Sequence, residues 1–483
     1  MNNGDLRNHL EFLEERGLLK WIHSEVDASW EIGSVVYLLD QKVPVQDRFA
    51  IGFNRIKGCP DQRVATGVIA GTPRMIPAAF RDETPDLPSA IERIRAGIKR
   101  PIESVKVSSG PCKECIIRAD QVSLHRFPVP VWTPGKDAGP YLTPLVITKD
   151  PETAVPNVGI YRVQIIDETH TCVYFYSLRQ HGAMHKAKWD RLRRPMPVAF
   201  VIGVDPVIYF AGASPVRYGV NELEVAGGIR KEPLEVVPCE TIDLEVPSAA
   251  EIVMEGEISP AETCLEGPYG EYTGYMCPAA AAPVMTIKCI THRRNPILVS
   301  SRGQHPPSEE GFLTGALWEL GIRDFLETHC GLAGIRDVHL IPASGSLAML
   351  WISVDKEKIA PIHELILQKF RFLTMTYDIK WTIVVDHDVD IRDPFIREWV
   401  LSFRVRPDQD IQILSDMNPL PLDPSLAAPD STHKNVTGSK ILIDATKKWP
   451  YPDRAIPEEI YVQEIQRQWA RYELPMFRCG HAG

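Results

Sequence analysis

The sequence predicts a mixed α/β (α+β) protein in three parts. Texture changes near residues 110 and 305, short β-branched or aromatic runs crowd the stretch between, and helical and strand-like patterns alternate afterwards. A chain of 483 residues is too long for one core. At roughly 150 residues per domain it implies two or three.

Residues 1–110 form the first part, an α/β segment. It opens on an amphipathic helix in which Leu6, Leu10, Leu13 and Leu18 recur between charges, which excludes a signal peptide. The strand-like run "RVATGVIAG" follows. In residues 111–305 the segments "PLVITKD", "VGIYRVQIID", "CVYFYSL", "PVAFVIGVD", "ETIDLEV", "AEIVMEGEI" and "VMTIKCITH" are bounded by Pro, Gly, Asp and Asn. That many short strands in succession favour a barrel or a sandwich. In residues 306–450 helical "EGFLTGALWELGIRDFLETH" and "KIAPIHELILQKFRFLTM" alternate with strand-like "GSLAMLWISV" and "KWTIVVD", the pattern of α/β units. Residues 451–483 hold a last helix, with Pro457 near its first turn, and a tail.

A net charge of -10 and a pI near 5.8 argue against a nucleic-acid partner. The basic run "HKAKWDRLRR" reads equally as a solvated helix face. No stretch approaches the roughly 18 apolar residues of a membrane span. Ten cysteines are too sparse for a disulfide scaffold. Cys112 and Cys115 form a C-x-x-C without the surroundings of a zinc ribbon or a thioredoxin-like site. The expected location is the cytoplasm.

Several motifs bear on chemistry, each with a bland alternative. "LEGPYGEYTG" sets Glu266 and Glu271 around a turn too rich in glycine and proline for a helix. Two carboxylates aimed into one pocket acquire different proton affinities, especially if a cation holds one ionised; the alternative is a solvated loop. "PNVGIYRVQIID" carries Arg162 among apolar neighbours, where burial demands a carboxylate partner. His181 and His185 stand four apart, on one face if helical, but lack the glutamate of a zinc-binding helix. "NELEVAGGIRKEP" reads by itself as a capped turn. "KWTIVVDHDVDIRDP" lacks the glycine and terminal glutamate of a calcium loop and reads as a strand end feeding a capped helix.

In order, "NVGIYRVQ", "RQHGAMHKAKW", "NELEVAGGIRKEP", "CETIDLEVPSAAEIVMEGEISP", "EGPYGEYTGY", "KWTIVVDHDVDIRD" and "GSKILIDATKKWP" resemble the UbiD-type decarboxylases that use prenylated flavin mononucleotide (prenylated FMN). The resemblance spans roughly residues 115–450. It implies a central split β-barrel over 111–305 that binds the flavin, and a C-terminal α/β oligomerisation domain. Assembly as a homodimer or homohexamer is implied too. The implied reaction is reversible, non-oxidative decarboxylation of an aromatic, heteroaromatic or α,β-unsaturated carboxylic acid, with phenolic acids and aromatic acyl-CoA thioesters among the substrates. Carbon dioxide is the co-product, and a separate flavin prenyltransferase supplies the cofactor.

Residue by residue, the resemblance gives Asn157, His181 and Glu222 as ligands of Mn²⁺ or Mg²⁺ that ties the cofactor phosphate to the protein. A K⁺ ion is implied near Ser214 and Glu222. Gly159, Ile160, Tyr161, Arg162, Gln180 and Lys380 complete the cofactor-contacting set, Lys380 through the phosphate. Arg162, Glu266 and Glu271 are the implied catalytic trio: Arg162 orients the substrate carboxylate and keeps Glu266 ionised, while Glu271 delivers a proton. On this reading only Glu266 has the arginine. His305, in "SSRGQHPPSEEG", falls where the family lines its substrate pocket. Two rivals are a carboxylase or carboxylase-complex subunit running in reverse and a non-catalytic flavin-binding subunit. The latter would be marked by loss of Arg162, Glu266 or Glu271, and all three are present.

Overall fold

The computed structural model describes residues 4–81, 86–175, 177, 179–358, 379–420, 422–426 and 437–472. The first helix, Leu6–Glu15, starts where Asp5 accepts a hydrogen bond from the Asn8 backbone N–H at 2.9 Å, and it buries Leu6, Leu10 and Leu13. Near it lies a four-stranded sheet in the order Leu19–Ile22, Ala50–Phe53, Arg63–Thr66 and Ile297–Val299. The last of these strands runs parallel to Arg63–Thr66 from more than two hundred residues away. The domain boundary expected at 305 therefore runs past a strand of the N-terminal sheet. Three apolar residues in a row carry no local sign of which sheet they will join.

The central sheet has the order Tyr141–Leu142, Val163–Ile165, His170–Val173, Ala280–His292, Ile252–Glu266, Met196–Ile202, Leu145–Lys149 and Pro156–Ile160, with Cys115–Arg118 also paired to Ala280–His292. All its pairings are antiparallel. Pro156–Ile160 ends one edge, yet the chain reaches Val163–Ile165, next to the opposite edge, after only Tyr161 and Arg162. A two-residue link cannot cross an open sheet of that width, so the sheet curls until its edges nearly meet: a half-closed barrel. Bulges between Glu255 and Gly256 and between Ile258 and Thr263 supply local bending. At the first, a side chain on Gly256 would fall 2.1 Å from the Thr286 carbonyl oxygen, so only glycine fits.

Alternation along the strands sorts residues into two cores. Val146, Val198, Phe200, Ile202 and Met254 fill one face. Leu145, Ile147, Ala199, Val201 and Val253 meet the helices Pro206–Ala213 and Glu222–Arg230 on the other.

The helix Glu309–Asp324 begins at Ser308, whose hydroxyl accepts from Gly311 N–H, and divides its apolar residues between two cores. Phe312, Leu313, Leu317 and Leu320 pack with the central domain, while Ile322 packs on the C-terminal sheet. That sheet has the order Ile335–Leu340, Met349–Val354, Trp381–Asp386, Gly438–Asp444 and Ile411–Met417. "KWTIVVD" is its middle strand, followed by the helix Pro394–Arg404 capped by Asp393, as the sequence predicts. The helix expected over "KIAPIHELILQKFRFLTM" lies almost wholly outside the described residues. The final helix, Glu459–Arg467, buries none of its residues.

Candidate active site

The link that closes the barrel carries the first candidate, Arg162. Its guanidinium binds Glu266 at two points, Nε to Oε1 at 2.9 Å and Nη2 to Oε2 at 2.7 Å. Glu266 ends the long strand Ile252–Glu266 and is completely buried. Gly267 then takes a φ of +92°, which turns the chain sharply at a conformation that favours glycine, and Glu271 returns to contact Arg162 Nη1. The arginine lies 3.9 Å from the centre of the Tyr174 ring and 5.0 Å from that of Tyr269. Burial works against the charged arginine, but the hydrogen bonds and charge of Glu266 outweigh it and raise its proton affinity.

The expectation that only Glu266 has the arginine is corrected here, because both carboxylates touch it. What distinguishes them is geometry. Glu266 is bidentate and inaccessible, whereas Glu271 meets one nitrogen and leaves 14 % of its side chain exposed. A guanidinium offers donors on two sides, so one cation serves both acids.

The second group starts on the strand that leads into the Arg162 link. Asn157, on Pro156–Ile160, donates from Nδ2 to Glu222 Oε1 at 2.8 Å, and the Val158 N–H reaches Glu222 Oε2 at 2.8 Å. His181 Nδ1 lies 3.8 Å from Glu222 Oε1. His181 and Glu222 each occupy the first position of a helix, His181–Arg191 and Glu222–Arg230, where free N–H groups favour an anion. Asn157 Oδ1 is buried without a hydrogen-bond partner. An orphan amide oxygen beside a carboxylate and an imidazole fits a hard divalent cation whose shell is completed by phosphate oxygens. "NELEVAGGIRKEP" is thus a helix capped by Asn221 rather than an isolated turn.

The remaining candidates distribute unevenly. The Tyr161 hydroxyl accepts from the Gly182 N–H at 3.2 Å, joining the closure link to the His181 helix. Gly159 leaves room for the Tyr161 ring, which would lie 2.7 Å from a side-chain carbon there. Gln180 precedes the helix and accepts from Ser177 N–H at 3.4 Å, and Ile160 ends the strand bearing Asn157. Ser214 caps Pro206–Ala213 and spends its hydroxyl on the Phe210 carbonyl at 2.7 Å. His185 shares an aromatic contact with Tyr218 with His181, but it bonds Thr148 at 2.9 Å, and burial lowers its pKa to about 4.

The Lys380 ammonium donates to Asp423 and Ser425, each at 2.7 Å, inside the C-terminal domain. No described contact joins it to Asn157, His181 or Glu222. His305 is exposed, with Nδ1 at 2.9 Å from the Pro306 carbonyl oxygen, and its ring packs on Gly274 just beyond Glu271. Cys112 and Cys115 are free thiols, and burial pushes Cys112 up to about 11, which makes it a poor nucleophile.

Sequence reading missed Tyr174 and Cys277, whose sulfur lies 3.6 Å from Arg162 Nη2. Neither stands in a local pattern. Both were reachable only through the cross-strand neighbours of Arg162.

Family models for the N-terminal, Rift-related and C-terminal domains of 3-octaprenyl-4-hydroxybenzoate carboxy-lyase match residues 10–94, 103–305 and 311–445 in that order. The chain belongs to the UbiD family. The UbiD-class enzyme HmfF from Pelotomaculum thermopropionicum, in complex with FMN, is 33% identical and superposes with a TM-score of 0.83 over 96% of this chain and 99% of that one. An evolved dimeric form of HmfF in complex with prenylated FMN (prFMN) is also 33% identical, with a TM-score of 0.80 over 94% and 97%. Vanillic acid decarboxylase from Sedimentibacter hydroxybenzoicus, in closed form, is 26% identical with a TM-score of 0.84 over 98% and 100%. Among the described residues of this UbiD protein, no helix is long and apolar enough to cross a membrane.

Proposed function

We propose that this UbiD enzyme is a carboxy-lyase that decarboxylates an aromatic or heteroaromatic acid without net oxidation, using prenylated FMN. The observation that carries the reading is the division of labour around Arg162: one buried carboxylate held in a bidentate pair and a second, more accessible one held at a single nitrogen.

Asn157, His181 and Glu222 would hold Mn²⁺ or Mg²⁺ against the cofactor phosphate, with the two helix N-termini adding anion stabilisation. K⁺ would sit near Ser214 and Glu222. When bound, the prenylated ring supplies the electron sink for the pair left behind as carbon dioxide departs. The protein's part is binding and proton transfer. Arg162 orients the substrate carboxylate, and Glu266 holds the guanidinium in place through both oxygens. Glu271 is the proton donor to the vacated carbon, since it can leave the arginine by breaking one contact rather than two. A proton donor must take its proton from solvent between turnovers, and the exposed edge of Glu271 permits that.

The reverse reaction uses the same groups, so net direction follows carbon dioxide pressure. The enzyme would work as a homo-oligomer, as the evolved HmfF form is dimeric, with a flavin prenyltransferase as cofactor supplier. The test is carbon dioxide release in D₂O. Wild type should place one deuterium on the product carbon, and Glu271→Gln should release carbon dioxide about 10²–10⁴-fold more slowly while keeping its flavin. Full turnover in that variant would remove Glu271 from the role.

A further inference from the structure

One wall beside the trio is built by residues 302–310, and three contacts seat that segment. Arg302 Nη1 donates to Asp40 Oδ2 at 2.6 Å in a buried ion pair. Glu309 accepts from the backbone N–H groups of Gly67, Ile69 and Ala70 at 2.9, 2.9 and 3.1 Å. In front, the segment lies on the turn that carries Glu271. A side-chain carbon on Gly270 would fall 2.5 Å from Gln304 Cγ, and one on Gly274 would fall 3.2 Å from His305 Cδ2. The N-terminal domain thus fixes this wall against the catalytic turn.

Among the described residues, two polar side chains on it have no bonding partner. Gln304 is 97% buried by its 3% exposure, and both its amide oxygen and its nitrogen lack a partner. No described hydrogen bond or ion pair engages Glu310, and its Oε2 stands 1.7 Å from where a side chain at residue 303 would begin. Gly303 is therefore what makes room for that carboxyl. Glu310 is exposed to solvent, and Arg162 is the charge that acts on it. Its own charge acts on Tyr269, which also flanks Arg162. Gln304 thus lies against the residue that precedes Glu271, and Glu310 lies against Gly303, the residue before Gln304, within the field of Arg162. A buried amide left unpaired is costly unless something completes it.

We infer that Gln304 and Glu310 form the distal half of the substrate pocket and select aromatic acids bearing a hydrogen-bond donor, a hydroxyl or a ring N–H, remote from the reacting carboxylate. An acid with a second carboxylate at that position meets the like charge of Glu310 and is disfavoured. The inference rests on the decarboxylase reading and narrows its substrate class.

The test uses flavin-loaded protein at pH 8.5, with binding read from the flavin absorbance. The donor probes are 4-hydroxybenzoate and pyrrole-3-carboxylate; the diacid probes are terephthalate and furan-2,5-dicarboxylate. One charge-assisted hydrogen bond corresponds to about tenfold or more in affinity, so donors should bind at least about tenfold tighter than diacids. The isosteric Glu310→Gln should shrink that ratio to about threefold, and Gly303→Ala, which displaces the carboxyl, should shrink it too. Diacids binding as tightly as donors, or a ratio unchanged in Glu310→Gln, would overturn the inference while flavin binding and carbon dioxide release leave the decarboxylase reading standing. If no acid perturbs the flavin of loaded protein, both fall together.

Discussion

The two ends of the strand-and-link segment 157–162 make a telling contrast. At Arg162 each guanidinium nitrogen has a carboxylate partner: Glu266 takes two nitrogens, Glu271 one, and two aromatic rings lie against the group. At Asn157 a buried oxygen is left with none, beside a carboxylate and an imidazole. One end is satisfied by carboxylates of the protein, and on the proposed reading the other would be completed by a cation and a phosphate. On the proposed reading, four residues separate a preorganised proton-handling site from a docking site. That difference teaches where each kind of damage should appear: chemistry and folding stability at Arg162, cofactor retention at Asn157.

The contrast can be broken in graded ways. The largest effect belongs to Glu271→Gln, where loss of general acid catalysis should lower turnover by about 10²–10⁴-fold with flavin content unchanged, checked by carbon dioxide release per bound flavin. Next is Glu266→Ala, which removes the bidentate partner of a buried arginine and leaves it only the single contact with Glu271. Removing one partner of a buried pair costs about 3–5 kcal/mol, so cofactor-free protein should lose that much in denaturant unfolding.

A pH control comes from His9, far from both ends in the chain, fully buried with Nε2 at 2.8 Å from the Val68 carbonyl oxygen. Burial lowers its pKa to about 4. A histidine depressed in the folded state contributes its stability above the unfolded value near 6.5 and loses it as pH falls towards 4. The loss should reach about 3 kcal/mol, and unfolding midpoints of wild type and His9→Gln between pH 7 and 4 should show the variant's dependence flattened by that amount. The smallest effect is Glu222→Gln in cofactor-free protein. The amide keeps an acceptor for Asn157 or Val158, so stability should change by only about 1 kcal/mol. A loss as large as that from Glu266→Ala would erase the distinction between the two ends.

Much of this was legible in the sequence because it is local. The leucines of the first helix, the alternation in "PVAFVIGVD" and the turn glycines between Glu266 and Glu271 each announce their own conformation. The proposed catalytic trio and metal ligands came through family resemblance, since separations of 24 and 41 residues obey no local rule. What escaped depends on partners distant in the chain. Ile297–Val299 joins a sheet it does not follow, Lys380 finds Asp423, and Glu271 reaches the arginine from the far side of a turn. Glu310 was hidden for the same reason: "SSRGQHPPSEEG" drew attention to His305, while the unpaired acid shows itself only when its surroundings are visible.

The most direct measurement is a mass spectrum of the small molecule released from three proteins made with a flavin prenyltransferase, Mn²⁺ and K⁺ and purified without oxygen: wild type, Glu271→Gln and His181→Ala. The account predicts prenylated FMN, near one per chain, from the first two and none from the third. Flavin retained by His181→Ala, or absent from wild type, would contradict it.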